Sequence, residues 1–472
     1  MLVLFPSLKN RRLAVLVASI LALSPGLAFA APYPVTENAA ASSSQAVIEP
    51  QGVLSLDQAL VLASQYQPLQ SVWQGRQQIA EANVQQSRLW DNPEVSIDQT
   101  GLRRKDEREL SIGVSQRVDL FGVRGARQKL ASIALESESV RQLAYQSQLK
   151  LAVTAAYWRV AQAEWSVKLE QDQTGLSANS EQVAKRRLTA GRIAEVEYSR
   201  VLIAHQQALT RLTAAQAVLT ESRLQLSRLW GNTTPVFTST QSAMNSSGGW
   251  PAVNQQQILA GLNDNPQQAL LKQQQRQAEA ALGLAQAQAR PQPTLSLGVN
   301  QTRTPSVQNG VDNRLTLGVS IPIPVFNRNQ GVIKATHALS HIAQAQQSYA
   351  RSKRQEQIQV GFIKLDALSS QYRQLQQQQL PLAKSVQEKT LQGFEAGKFS
   401  VTEVQQATRE YQAIQFNQLQ LLSQAWQLSL QMEALSLGLD AGFDMNDANY
   451  LDNSQLQLWQ DTQSMPIIGT GE

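Results

Sequence analysis

From Val123 to Ala190 the chain runs for about 68 residues with a helical pattern and no proline. At 1.5 Å per residue such a helix is roughly 100 Å long. A helix of that length does not fold into a globular core, and it needs lateral neighbours along its whole course, as coiled-coil helices do. A second stretch of similar length runs from about Asn329 to Ala396, with Pro381 inside it, where a kink is expected. Shorter helical patterns run from Leu54 to Trp90 with a break at Pro68, and, after a short break at Gly191-Arg192, on to about Trp230. Two more run from Gln255 to Ala289 with a break at Pro266, and from Thr402 to about Leu437 after a break at Gly397-Lys398. Two short helices end to end match one long one, so a wall built of both kinds stands level. Their Ala, Leu and Val positions allow a close seam while Gln and Ser face water.

Strands are inserted ahead of each long helix. In "PEVSI" Val95 and Ile97 oppose Glu94, Ser96 and Asp98; in "ELSIGVS" Leu110, Ile112 and Val114 oppose Ser111, Gly113 and Ser115. "PTLSL" and "RLTLGVS" repeat these patterns after 200 and 205 residues, and "EAGKFSVTE" repeats "TAGRIAEVE" after 206. Three ordered matches make an internal duplication. The organisation expected is a signal peptide at 1–30, a flexible segment at 31–51, a first repeat at 52–231 with a β-hairpin about 93–121, and a linker at 232–253. A second repeat at 254–438 with a hairpin about 293–326 and a tail at 439–472 complete it.

The lead segment reads as a secretory signal: Lys9, Arg11 and Arg12, then an apolar run from Leu13 to Leu23, then "AFA" at Ala28 to Ala30. The run is short and Pro25-Gly26 breaks it, which argues against an uncleaved anchor. The formal charge of +5 includes those three cations, so the mature chain is near +2 and nothing points to nucleic acid. There is no cysteine, hence neither a disulfide nor a lipid-bearing cysteine. Beyond the signal no run of about 18 apolar residues exists, so a membrane is crossed here only by strands closed into a barrel. Each strand is about ten residues, a suitable length, but four strands do not close and about eight is the practical minimum. Three chains give twelve. The expected fold is therefore mainly α with a transmembrane β-barrel portion: a duplicated strand-strand-long-helix protomer whose trimer forms a 12-stranded barrel and a helical tunnel.

The strand must stop at the membrane boundary and hand over to a helix. In "VSIPIPVFNRNQG" Pro322 and Pro324 end β-pairing by removing donors and fixing φ. In "VSQRVDLFGVRGAR" Gly122 and Gly125 are expected to make the corner by flexibility instead. Phe121 and Phe326 mark the same junction. Leu110, Ile112, Leu315 and Leu317 are expected to face lipid, and Ser111, Gly113, Thr316 and Gly318 the pore. "LRRKDER" and "TPSVQNGVDN", with Lys105 and Asn309, are expected to face outside the cell.

With its duplicated layout, these two junction motifs and the paired "AGR…EVE" and "AGK…TEV" turns, the sequence resembles the TolC-type outer-membrane efflux family from about residue 52 to 438. "VDLFGVRGAR" looks most like the cobalt-zinc-cadmium, heavy-metal efflux branch, and the missing anchor cysteine separates the chain from acylated members. The resemblance implies an outer-membrane homotrimer extending into the periplasm, working as a passive export duct with a periplasmic adaptor and an inner-membrane pump. It also places the helix-turn breaks at the periplasmic end, where the tunnel narrows. Gly191, Arg192, Glu195, Glu197, Gly397, Lys398 and Glu403 are then gate candidates, and threefold repetition turns any inward member into a ring of charge. The alternative is a soluble periplasmic coiled-coil adaptor or scaffold.

No catalytic or cofactor motif is present: there is no Gly-x-Ser-x-Gly, no Gly-x-Gly-x-x-Gly and no His-Glu-x-x-His. An enzyme is not expected, nor a cofactor. His337 and His341, four apart on one helix face, are weak metal candidates with no acid within a turn or two; His205 is the third histidine.

Overall fold

The computed structural model describes residues 49–101, 107–241, 249–304, 310–439, 460–461 and 465. The chain divides into units Met1–Ala46 and Val47–Glu472, and the described residues all belong to the second. The signal segment, Lys105, Asn309 and most of the tail lie outside the described residues.

Local chemistry sets the element boundaries. Ser55 forms a capping box with Gln58 and starts α1 (Leu56–Ser64). Pro68 falls in the first turn of α2 (Gln67–Ser87), so it opens the second helix rather than ending the first. Asn254 caps α5 (Gln255–Gly261), and Asn265 caps α6 (Pro266–Gln288), whose first residue is again proline. The long helix α3 (Val123–Thr189) is unbroken over 67 residues and is followed by α4 (Glu195–Ser227). Its counterpart is not continuous: α7 (Gln330–Gln374) passes through a π-helical turn at Leu375–Gln379 into α8 (Leu380–Glu395), and α9 (Val401–Ser436) returns. The irregularity expected at Pro381 is thus a π turn just ahead of it, which absorbs the missing N–H without ending the helix.

The linker after α4 holds more order than its composition suggests. β1 (Val53–Leu54) pairs in parallel with β4 (Ser239–Thr240). Two carboxylates fasten the segment: Glu49 accepts from the N–H groups of Val236 and Phe237 at 3.0 and 3.2 Å, and Glu164 accepts from Thr240 N–H at 3.0 Å. Tyr157 Oη donates to the Leu54 carbonyl at 3.0 Å, beneath a core of Leu62, Trp73, Leu226 and Trp230.

β2 (Glu94–Thr100), β3 (Arg108–Arg117), β5 (Thr294–Arg303) and β6 (Val311–Ser320) form one antiparallel sheet in the order β2-β3-β5-β6, open at both edges. Its register sorts the faces. Ile97, Ile112, Val299 and Leu315 are cross-strand neighbours on one face; Ser96, Gly113, Gly298 and Thr316 are neighbours on the other. The two hairpins share one register, since Ser96 opposite Gly113 recurs as Ser296 opposite Gly318. A Cβ on Gly318 would come 2.6 Å from Ser296 Oγ, so the small residue is needed for close approach there.

Helix contacts follow the same order. Next to the sheet α2 packs on α3, α3 on α6 and α6 on α7; farther along, α3 lies between α4 and α9, and α9 packs on α7 and α8. Arg76 of α2 reaches Glu138 at 2.7 Å, and Arg276 of α6 reaches Glu136 at 2.7 Å, so α3 is gripped from both sides. α7 buries only Arg354, Ile358, Gly361 and Tyr372, and leaves Val332, Leu339, Ile342, Tyr349, Val360 and Ile363 exposed. No helix among the described residues is long and apolar enough to cross a membrane, which says nothing of strands.

Candidate functional site: junctions and hairpin tips

Each sheet-to-helix junction turns on one residue in the left-handed region. Gly122 (φ 76°) caps α3, while Asp119 Oδ1 and Oδ2 accept from Val123 N–H at 2.9 Å and Arg124 N–H at 2.8 Å. Partial burial pushes the Asp119 carboxyl up, but the N–H groups of residues 121 to 124 outweigh it and hold it below its ordinary value. Its contribution is therefore present above the ordinary carboxylate range and is lost as pH falls through the lowered pKa. Gly125 lies inside α3 without a positive φ and makes no part of the corner, contrary to the expectation from flexibility. In the second repeat the corner residue is Asn329 (φ 56°), whose N–H bonds Asn327 Oδ1 at 3.0 Å and whose side-chain amide donates to the Ala285 carbonyl at 2.9 Å. Asn tolerates this conformation where other side chains do not. Pro322 and Pro324 lie just past the last ladder residue, Ser320.

The hairpin tips are two copies of one turn. Gly191 (φ 68°) receives the end of α3, with Gly191 N–H to the Leu188 carbonyl and Arg192 N–H to the Arg187 carbonyl; Gly397 (φ 80°) does the same after α8 through Phe394 and Gly393. Glu195 and Glu197 occupy the first turn of α4, where a carboxylate complements the helix dipole. Glu403 is engaged in the Ser400 capping box; bonds from the Ser400 backbone and then its hydroxyl hold this exposed carboxyl below its ordinary value. Arg192 and Lys398 are exposed and form no ion pair among the described residues. The tie between the tips comes from a residue that spacing did not single out. Arg187 donates to the Phe394 carbonyl at 3.0 Å and lies 4.6 Å from its ring, above a cluster of Val183, Val201, Val401 and Val404.

His337 and His341 sit face to edge with centroids 4.7 Å apart on the exposed side of α7, and no group of three or more metal-ligating side chains occurs among the described residues. His205 is elsewhere, with Nδ1 2.9 Å from Ser177 Oγ and Nε2 3.8 Å from Glu181.

Residues 260–436 match the family model for "Outer membrane efflux protein". The match spans most of the second repeat. Cobalt-zinc-cadmium resistance protein CzcC of Cupriavidus metallidurans is similar at 26% identity over 82% of this chain and 91% of its own. Among solved structures, CusC shares the fold with a TM-score of 0.64 at 17% identity, over 83% of this chain and 93% of that one. The outer membrane protein VceC of Vibrio cholerae does so with a TM-score of 0.62 at 16% identity, over 81% and 96%. These similarities favour an outer-membrane efflux channel over the soluble adaptor or scaffold alternative.

Proposed function

We propose that three copies of this chain form a closed duct that exports substrate passively, without enzymatic chemistry of its own. The carrying observation is the sheet order. β2 and β5 are equivalent, as are β3 and β6, so the β3–β5 seam inside the chain foreshadows a β6–β2 seam with the next copy. The same shift sets the bare face of α7 against the next copy's α2 and α4, as α3 meets α6 and α9. Such a heterologous contact repeats until the ring closes. Eight strands give an interior that side chains fill; twelve, lined by Ser, Gly and Thr, leave a lumen.

In the tripartite arrangement of this family, a periplasmic adaptor and an inner-membrane pump deliver the cargo. The similarity to a cobalt-zinc-cadmium resistance protein supports heavy-metal cations as that cargo. Cells deprived of this chain should become sensitive to cobalt, zinc or cadmium salts and recover with the gene restored; sensitivity to organic drugs alone would refute the metal reading.

Closure of the periplasmic end is assigned to the tips. Arg187 holds the two hairpins of one chain together, while Arg192 and Lys398 are free to meet neighbouring copies. Exposed pairs are worth about 0–1 kcal/mol each, so a ring of them biases closure by a few kcal/mol at most. Replacing both Arg192 and Lys398 by Ala is expected to raise single-channel conductance in planar bilayers without loss of the assembled channel. Adding Arg187→Ala should raise it further. Unchanged conductance in stable double-variant channels would leave these charges as helix ends or adaptor contacts.

A further inference from the structure

The apolar outer stripe of β6 does not stop with its ladder. Leu315, Leu317 and Val319 continue at the same two-residue spacing into Ile321, Ile323 and Val325, all exposed, and then into Phe326, 91% exposed. At the junction of the first repeat Leu89, Trp90, Leu120 and Phe121 are exposed as well. Cations accompany this rim. The Arg124 guanidinium lies 4.1 Å from the Trp90 ring centroid and donates to the Arg88 carbonyl at 3.4 Å. Arg290 lies 5.7 Å from the Phe121 centroid, and Arg328, two residues past Phe326, donates to the Pro324 carbonyl at 3.2 Å.

The acids of the same segments are already engaged. Asp91 faces Arg127 at 3.7 Å, and Asp119 accepts the first N–H groups of α3. Arg88, Arg124, Arg290 and Arg328 have no carboxylate partner among the described residues. Arg124 and Arg290 stand over exposed aromatic rings, and Arg88 and Arg328 lie within two residues of exposed Leu89 and Phe326 in the chain, so the matching ligand carries an anionic phosphate next to hydrocarbon. We propose that the two junctions form a basic, aromatic-edged collar that binds anionic phospholipids of the periplasmic leaflet, phosphates on the arginines and acyl chains against the Trp90, Phe121 and Phe326 rim. The proposal rests on the barrel reading, since only a closed barrel sets this rim at a membrane surface. A free phosphate ion fits less well, because the arginines are strung along an edge and no enclosed pocket gathers them.

The full-length channel, reconstituted in nanodiscs of phosphatidylcholine with or without phosphatidylglycerol, tests this. Native mass spectrometry reads the lipid retained, and heating reads assembly. The wild type should retain phosphatidylglycerol in preference to phosphatidylcholine and dissociate at higher temperature when it is present. The triple variant Arg124→Gln, Arg290→Gln, Arg328→Gln should lose that preference on the order of tenfold or more. The corresponding Lys variant should keep most of it and guards against mere misfolding. Equal retention of both lipids by the wild type, or an unaltered preference in the Gln variant, would overturn the collar. So would equal stabilisation by inorganic phosphate in phosphatidylcholine discs. Failure of the wild type to insert into discs of either composition would instead overturn the barrel, and the collar with it.

Discussion

Ile112→Arg is expected to abolish most of the assembled channel, whereas Ser111→Arg leaves assembly largely intact and lowers conductance. The two residues are adjacent on β3 and nearly equal in depth, but on opposite faces. Ile112 neighbours Ile97 and Val299; Ser111 neighbours Asp98 and Asn300, and its hydroxyl donates to Asn300 Oδ1 at 3.0 Å. An Arg on the lipid side costs roughly 2–4 kcal/mol at mid-membrane, and each copy adds its own cost. Ser111→Arg loses one hydrogen bond, worth about 1 kcal/mol, and narrows the lumen. Membrane-extracted oligomer yield and single-channel conductance read the two effects separately. Equal assembly defects would contradict the assignment of faces.

The second large effect is expected at Arg76. Its side chain is 1% exposed and bonds Glu138, which also accepts from Arg141 at 3.2 Å. Removing one partner of a buried pair costs about 3–5 kcal/mol where the other charge is left alone, and Arg141, itself partly exposed, offsets only part of that here. Arg76→Ala should therefore lower the thermal unfolding midpoint markedly. Arg276 provides the internal control. It is 200 residues on, in the equivalent place of the second repeat, and it bonds Glu136 on the same helix α3. Both side chains of that pair are half exposed, so Arg276→Ala should cost about 1 kcal/mol or less. Similar shifts from both variants would show that burial does not govern these pairs.

Much of the architecture is written in local chemistry and is legible in the amino-acid sequence. Ser55, Asn254, Asn265 and Ser400 start helices, Gly191 and Gly397 end them, and two-residue alternation marks β3 and β6. The duplication is legible too, because Ser-Gly pairs and apolar pairs recur at nearly fixed offsets. What sequence does not yield depends on contacts between distant segments. Arg187 differs in no local way from Arg186, yet it alone reaches Phe394 across 207 residues. The two-residue strands β1 and β4 are too short for periodicity; Glu164 and Tyr157 hold their backbones, and Glu49 fastens the chain just ahead of β4. Asn329 does carry a local signal: an Asn between a proline-ended strand and a helix is a natural left-handed corner. Glycine is the commoner sign of such a corner, yet of the two at the first junction only Gly122 has a positive φ, and Gly125 plays no part in the turn.

Closure of the ring by strand pairing is the central claim, and it fixes a register. Inside the chain Ser115 lies opposite Ser296. The repeat offsets carry that pair onto Ser320 of one copy and Ser96 of the next, both on the polar face. Directly opposed residues of antiparallel strands have Cβ atoms about 4.5–5.5 Å apart, within reach of mild oxidation or a short bifunctional thiol reagent. The protein has no cysteine of its own, so the double variant Ser96→Cys, Ser320→Cys reports this contact alone. Treatment of the membrane-embedded channel should convert the monomer band on a denaturing gel into covalent dimer and trimer and nothing larger. A chain that stays monomeric, or that cross-links efficiently only when Ser96→Cys is combined with the register-shifted Gly318→Cys, would contradict the account.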